Sequence, residues 1–353
     1  MDPANDTAAA VDFTPLQTRG FVVVPGFLTP DEVQRLRADF EAQPVDAGNK
    51  NYSLTPVSGA ANEHMQRRVA DVLRSVTATT DLRVDLPRGG AYFATGAKRG
   101  VFFSWHQDHE SFFETQNHYD YLNFYIPIVK PRVDKSNLCV VPFDVLQREF
   151  PKTYKYTVRG GATRFGQLGR WQVSAHDDGC TVHFMRGRLD LIAETPHLAA
   201  GDLLLMRGDV IHRTQDAETE RVALSFRAAA GDTIVRRSRL AAGGINKATM
   251  MVNNRLTYER LFLAFDRAGR RELPYRELLA ILDTVDLRDQ KGWRQFWTYL
   301  LIEKLRAGAI PQLAVSVLSL RTLALWSRCV GMYYRTRQRF QRPAATPPAR
   351  AVP

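Results

Sequence analysis

The chain has 353 residues, of which 44% are hydrophobic and 24% charged, values that fit a globular protein and exclude a disordered or collagen-like one. Its three cysteines, Cys139, Cys180 and Cys329, are too few and too widely separated for a disulfide framework or a zinc knuckle. The net charge of +11 is uneven: residues 1–235 carry 26 basic and 29 acidic side chains, whereas residues 236–342 carry 21 and 8, a local balance of +13.

In chain order, the acidic start Met1-Asp-Pro-Ala-Asn-Asp6 has no basic region followed by an apolar run. No secretory signal is therefore expected, and a cytoplasmic location is. Thr29-Pro30-Asp31-Glu32 reads as a helix start, with Thr29 as N-cap, Pro30 in the first turn and Val33, Leu36 and Phe40 continuing at helical spacing. Strands are predicted at about 91–95, 100–108, 119–129, 137–142, 154–159, 180–185, 189–193, 202–206 and 221–230. Many short β segments separated by Gly, Pro and Asp turns point to a sandwich or jelly roll, not a βαβ sheet. Ala241-Ala-Gly-Gly244 is the expected hinge. Beyond it the pattern turns helical over Thr257–Phe265, Tyr275–Leu282, Trp293–Leu305 and from about Gln312. The expected organisation is a flexible 1–12, a β domain over 13–240, a basic helical appendage over 245–340 and a flexible Pro- and Ala-rich 341–353.

The chemistry is concentrated in His106-Gln107-Asp108, with His212 and then Arg221 about a hundred residues later. Two imidazoles and one carboxylate occupy one face of an octahedral metal and leave the other face open, which suits non-haem Fe(II) enzymes that bind O2 beside a co-substrate. In an extended H-x-D the first and third side chains share a face, so His106 and Asp108 converge while Gln107 points away. His212 must come from a distant strand, and Arg221, at the head of the apolar run Arg221–Arg227, is suited to a bidentate grip on a carboxylate. Alternation along Tyr121-Leu-Asn-Phe-Tyr125 puts Tyr121, Asn123 and Tyr125 on one face, which is either the pocket wall or the outer surface.

These residues resemble the phytanoyl-CoA dioxygenase-like Fe(II)/2-oxoglutarate oxygenases. The resemblance runs from about Phe13 to Ala230 and includes Gly20–Arg37 as an opening strand, turn and capped helix. It also takes in Trp105–Asp108, Leu138-Cys-Val-Val-Pro142 and Gly201-Asp202 through His212 to Arg221. It implies a mainly β fold, a double-stranded β-helix (jelly-roll or cupin-like) core with flanking N-terminal helices and a C-terminal helical appendage. It further implies His106, Asp108 and His212 as catalytic iron ligands and Arg221 as the partner of the distal carboxylate of 2-oxoglutarate, with O2 as the third reactant. Gln107 falls where the family often has a contact behind the metal, and Gln107, Asn123 and Tyr125 complete the candidate cofactor-binding set. One departure follows Pro142, where the family's usual Gly-Ser-His is Phe143-Asp144-Val145. The implied reaction is hydroxylation, or another oxidation, of an unactivated C–H bond in a small-molecule, acyl or carrier-bound substrate, with release of succinate and CO2. A carboxylate at position 108, where related halogenases have Gly or Ala, disfavours halogenation.

Two alternatives stay open. One is a cupin-like metalloenzyme that uses no 2-oxoglutarate and has no need of Arg221; the other is an inactive binding module whose basic tail contacts a membrane or nucleic acid. Other constellations carry less. Asp266–Glu277 has acids at both ends of a twelve-residue loop, but Ala268, Arg270 and Arg271 stand where calcium needs oxygens or a glycine, so a helix hairpin is expected. His176-Asp-Asp178 with His183 reads as a loop beside a core histidine. His109, Glu110 and His118 are candidate substrate contacts. Ala309–Tyr334 is mostly apolar, yet Arg321 and Arg328 argue against a membrane span. A surface or packed helix, with peripheral contact of the basic helices to an anionic surface, is the expectation. No specific nucleic-acid signature is present.

Overall fold

The computed structural model describes residues 11–44, 53–95, 103–158, 163–168, 171–176, 182–244, 247–248, 251–252, 254–285, 293–312, 314 and 318. The expectations for 1–10, for His176–Asp178 as a cluster, and for nearly all of the helix from Gln312 onward lie outside these residues.

The first elements are α1 (Pro15–Thr18), β1 (Phe21–Val24) and α2 (Pro30–Ala42). α2 starts as its sequence predicts: Thr29 Oγ1 accepts from Glu32 N at 3.3 Å and Glu32 Oε2 accepts from Thr29 N at 2.8 Å, a reciprocal capping box. β2 (Ser53–Pro56) leads to α3 (Gly59–Thr79), capped by Ser58, whose Met65, Val69, Leu73 and Val76 form one buried stripe at helical spacing. Then come β3 (Leu86–Pro87), β4 (Ala91–Thr95), α4 (His109–Phe113), β5 (Tyr121–Val129), β6 (Leu138–Val141), α5 (Phe143–Glu149) and α6 (Pro151–Thr157). The meander β7 (Thr163–Leu168), β8 (Trp171–His176) and β9 (Val182–Arg186) precedes β10 (Leu203–Arg207), β11 (Ile211–Thr214) and β12 (Arg221–Ala229).

Seven strands make one antiparallel sheet in the order β1-β10-β5-β12-β4-β2, with β3 also paired to β12. β5 and β12 are central and covered on both sides, so both read as almost continuous apolar runs. Leu122, Phe124, Ile126, Ile128, Leu224 and Phe226 pack under the N-terminal helices, with Leu36, Met65, Val69 and Leu73. The other face contributes Tyr125, Leu204, Met206 and Ala223 to a second layer with Val140 of β6 and Phe143 of α5. β6 pairs with β11, opposite the main sheet. The architecture is therefore the mainly antiparallel β, jelly-roll type expected from the sequence, with helices on its outer face.

The predicted strands at 91–95, 119–129, 137–142, 180–185, 202–206 and 221–230 are present with small shifts of boundary. Three are corrected. Residues 154–159 fall largely in helix α6: Pro151 starts it, and Thr153 and Thr157, four apart, are both buried, with Thr157 Oγ1 donating to Thr153 O at 2.8 Å. Residues 189–193 contain a 3-10 turn, Leu189–Leu191. In 100–108 the described residues form a single bridge, between His106 and His212.

The C-terminal part comprises β13 (Ile234–Arg236), α7 (Arg237–Ala241), α8 (Arg255–Ala268), β14 (Glu272–Pro274), α9 (Tyr275–Leu282) and α10 (Trp293–Arg306). Its core gathers Val235, Leu240, Tyr258, Phe262, Phe265, Leu273, Leu278, Phe296 and Leu300 against Tyr121 and Ala229 from the ends of β5 and β12. The stretch expected to be a hinge is bolted down, because Lys304 Nζ donates to Ala241 O at 2.9 Å and to Gly243 O at 3.1 Å. Asp266–Glu277 is a helix–strand–helix hairpin in which Asp266 pairs with Arg237 and Arg270 with Glu277. No helix among the described residues is long and apolar enough to cross a membrane.

Candidate active site

β11 delivers His212, and a two-way backbone pair brings His106 against it: His106 N donates to His212 O at 3.0 Å and His212 N to His106 O at 2.9 Å. The imidazole centroids lie 4.4 Å apart. Asp108, at the N-terminal boundary of α4, completes the group, with Oδ1 3.6 Å from His212 Nε2 and 4.0 Å from His106 Nε2. One ligand atom from each residue falls within a mutual 4.8 Å. The expected convergence of His106 and Asp108 thus arises in a bridge and a cap, without a full strand.

The ring orientations decide what this group can hold. His106 Nδ1 is 2.7 Å from Ser104 O and His212 Nδ1 is 3.0 Å from Val210 O. A carbonyl only accepts, so each Nδ1 carries a proton and Nε2 is the nitrogen turned toward Asp108. Burial, and then the neighbouring His212, pushes the His106 imidazole down to about 3, so it is neutral at ordinary pH. For Asp108 burial acts upward, but His212, Arg227 and His106 outweigh it and hold the carboxyl below its ordinary value. Two imidazoles that each turn Nε2 inward and one carboxylate fit a divalent transition metal.

Asp108 is held from behind. Asn123 Nδ2 donates to Asp108 Oδ2 at 2.6 Å, leaving Oδ1 for the cluster. Arg227 donates to Asn123 Oδ1 and so fixes which way the amide faces. Glu110 accepts from Arg227 Nε at 3.0 Å and from the Tyr121 hydroxyl at 3.1 Å. The face shared by Tyr121, Asn123 and Tyr125 is therefore the inner one. Asn123, expected to touch a cofactor, instead supports Asp108. The Arg227–Glu110 pair was not foreseen in this role; its only sequence signal is that Arg227 shares strand parity with Arg221.

Arg221 is buried at the start of β12, with its guanidinium 5.5 Å from the Tyr125 ring centroid. Its Nη1 donates to Ser136 O at 2.8 Å, while its Nε and the Tyr125 hydroxyl are buried without a hydrogen-bond partner. Such orphaned donors cost about 1–3 kcal/mol each and mark a place where an acceptor belongs. Lys130 nearby is pushed down to about 8, first by burial and then by Arg221, so a carboxylate would relieve a local excess of positive charge. Tyr125 lies two residues beyond Asn123 on the same face, a step of about 7 Å along the strand. That spacing suits a short dicarboxylate reaching from the His–Asp–His cluster to Arg221.

Gln107 stands outside this group. It is fully buried and points away, donating from Nε2 to Thr157 O at 2.8 Å and to Asp209 O at 2.7 Å, so it ties chain segments together. His118 is likewise corrected from a pocket residue to a core one. It stacks on Phe112, pairs with Ser111 Oγ at 2.6 Å, and burial pushes it down to about 4. The turn before His212 is locked by the buried ion pair of Arg207 and Asp209 at 2.6 Å, with Arg207 also over the Tyr119 and Phe143 rings.

Solved structures similar to this chain include the non-heme alpha ketoglutarate dependent epimerase SnoN from nogalamycin biosynthesis, at 16% identity, 63% of this chain, 83% of that chain and a TM-score of 0.43. HygX from Streptomyces hygroscopicus, with nickel and 2-oxoglutarate bound, matches at 16% identity, 61% and 84% coverage and a TM-score of 0.38. A Pseudomonas putida prolyl-4-hydroxylase matches at 13% identity, 61% and 94% coverage and a TM-score of 0.38. At these values no reaction is carried over to this chain. A search of curated proteins finds no match. The family model described as Phytanoyl-CoA dioxygenase (PhyH) matches residues 16–225, a span that covers more than half of the chain and ends just beyond Arg221. From α1 to the inner face of β12, this chain belongs to the phytanoyl-CoA dioxygenase family.

Proposed function

We propose that the protein is an Fe(II)- and 2-oxoglutarate-dependent oxygenase that hydroxylates, or otherwise oxidises, an unactivated C–H bond of a small-molecule, acyl or carrier-bound substrate. The observation that carries this reading is the set of three ligand atoms within 4.8 Å, with both imidazoles turned to offer Nε2. In this reading His106, Asp108 and His212 hold the iron, residues 13–240 form the oxygenase domain and residues 245–340 its helical appendage. Iron with 2-oxoglutarate and O2 supplies the oxidising power, and succinate and CO2 leave. The chain's own contribution is positional. Asn123 keeps Asp108 from offering both oxygens, Arg227 keeps Asn123 from flipping, and Arg221 with the Tyr125 hydroxyl takes the distal carboxylate of the co-substrate. The orphaned Arg221 Nε favours this over a cupin-like enzyme without 2-oxoglutarate, which would leave that donor unused.

The test is anaerobic titration with Fe(II) and 2-oxoglutarate, followed in the visible charge-transfer region, and then a succinate-release screen against candidate substrates. A band that appears only with both additions, and weakens in Arg221→Leu, supports the reading. Fe(II) binding with no response to 2-oxoglutarate would return the chain to the cupin-like alternative.

A further inference from the structure

Helix α10 has two apolar sides. Phe296 and Leu300 are buried in the appendage core, flanked by the buried Glu303 and Lys304. On the other side Trp297, Leu301 and Leu305 are spaced four residues apart and are 50%, 53% and 58% exposed, with Ile302 beside them. A helix meant for water alone carries charged side chains there, and four large apolar groups in one exposed stripe mark a contact surface.

The stripe ends at a basic cavity. Arg306, next after Leu305, lines a space of about 230 Å³ with Arg237, Arg270, Arg271 and Asp266. Arg237 is committed to Glu303 at 3.0 Å and to Asp266. Arg306 reaches Glu303 at 3.1 Å, and Arg270 pairs with Glu277. Among the described residues Arg271 has no acidic partner. The sequence from 236 to 342 carries a surplus of +13, so the whole appendage attracts anions.

We propose that this face docks the protein on an anionic phospholipid bilayer. Trp297, Leu301 and Leu305 enter the boundary between headgroups and acyl chains, and the cavity of Arg270, Arg271 and Arg306 takes a lipid phosphate. Tryptophan suits that boundary, and basic side chains beside an apolar stripe are the pattern of helices that lie in it. A second copy of the chain fits less well, because pairing two such faces would bring two strongly basic appendages together.

The test is cosedimentation of the full chain with vesicles of phosphatidylcholine alone and of phosphatidylcholine with phosphatidylglycerol. Binding is expected to the second kind only, and to fall steeply as salt rises from about 0.05 M to about 0.5 M. The triple variant W297S/L301S/L305S should bind at least about tenfold more weakly with an unchanged melting temperature, since all three side chains are exposed. The variant R270Q/R271Q, which leaves the apolar stripe intact, should lose the preference for anionic vesicles. Wild-type protein that stays in the supernatant with anionic vesicles at low salt would overturn the proposal. So would a triple variant that binds like wild type, or a wild-type dimer in light scattering that the triple variant dissolves.

Discussion

Asn123→Ala isolates the support behind the Asp108 carboxylate. The bond it removes is a 2.6 Å charge-assisted contact from Asn123 Nδ2 to Asp108 Oδ2. Hydrogen bonds to a charged group are typically worth about 1.5–3 kcal/mol, which is about 10- to 150-fold in a dissociation constant. Arg227, already directed at Asn123 and close enough to influence Asp108, can move into part of the space, so the lower half of that range is expected. Asn123→Asp is the sharper variant, since it keeps the shape but sets a second carboxylate against Asp108 and should weaken the metal further. The assay is anaerobic Fe(II) titration, with circular dichroism and melting temperature as controls. The apparent KM for 2-oxoglutarate at saturating iron should move little, because Arg221 and Tyr125 are untouched. An Fe(II) dissociation constant within about twofold of wild type in a folded Asn123→Asp protein would refute the role given to this residue.

Four further outcomes are expected. His106→Ala, Asp108→Ala and His212→Ala should each abolish Fe(II) binding and turnover in a folded protein, measured by titration and circular dichroism; full turnover in any one of them would remove that residue from the ligand set. Arg221→Leu should raise the KM for 2-oxoglutarate by at least about tenfold with iron still bound, while an unchanged KM there and a collapse in Arg227→Leu would move the anchor to Arg227. Gly208→Ala should destabilise the fold by about 1–3 kcal/mol in chemical denaturation, because a Cβ there would lie 2.5 Å from Ser111 Cβ and 3.0 Å from the Tyr121 ring. His118 is neutral in the fold with its pKa near 4, below the unfolded value, so unfolding takes up a proton as pH falls from about 6.5 toward 4. Stability should drop over that window by up to about 1.4 kcal/mol per pH unit from this group, and the slope should flatten in His118→Asn.

The clustering of His106, Asp108 and His212 is legible in the sequence because the signal is chemical: these are residue types that few other roles require in that order. Which face of β5 looks inward was legible only as a pair of alternatives, since alternation fixes which residues share a face and leaves open which face it is. Depth was not legible at all. Asn123 and Tyr125 share a face, yet one stands behind Asp108 and the other beneath Arg221, a distinction made by the register of β5 against β12. The residues of α6 read as a strand in sequence because Tyr154, Tyr156, Thr157 and Val158 are strand-favouring, and tertiary burial of Thr153 and Thr157 on one helical side outweighs that preference. Helix α3 carries a regular apolar spacing that marks it in sequence, whereas the Arg207–Asp209 ion pair gives no sign in sequence that both partners are buried.

Gln107 gives the site a kinetic character. By binding the carbonyls of Thr157 and Asp209 at once, it joins the segment carrying His106 and Asp108 to the end of α6 and to the turn that leads into His212. The backbone pair between His106 and His212 adds a second tie. The segments carrying His106, Asp108 and His212 are thus tied together by the chain's own hydrogen bonds, with no ion needed to join them. Metal uptake should therefore proceed in a single fast phase with little change in backbone protection, and Gln107→Ala should convert it into a slower, ordering-limited association even where the final occupancy is the same.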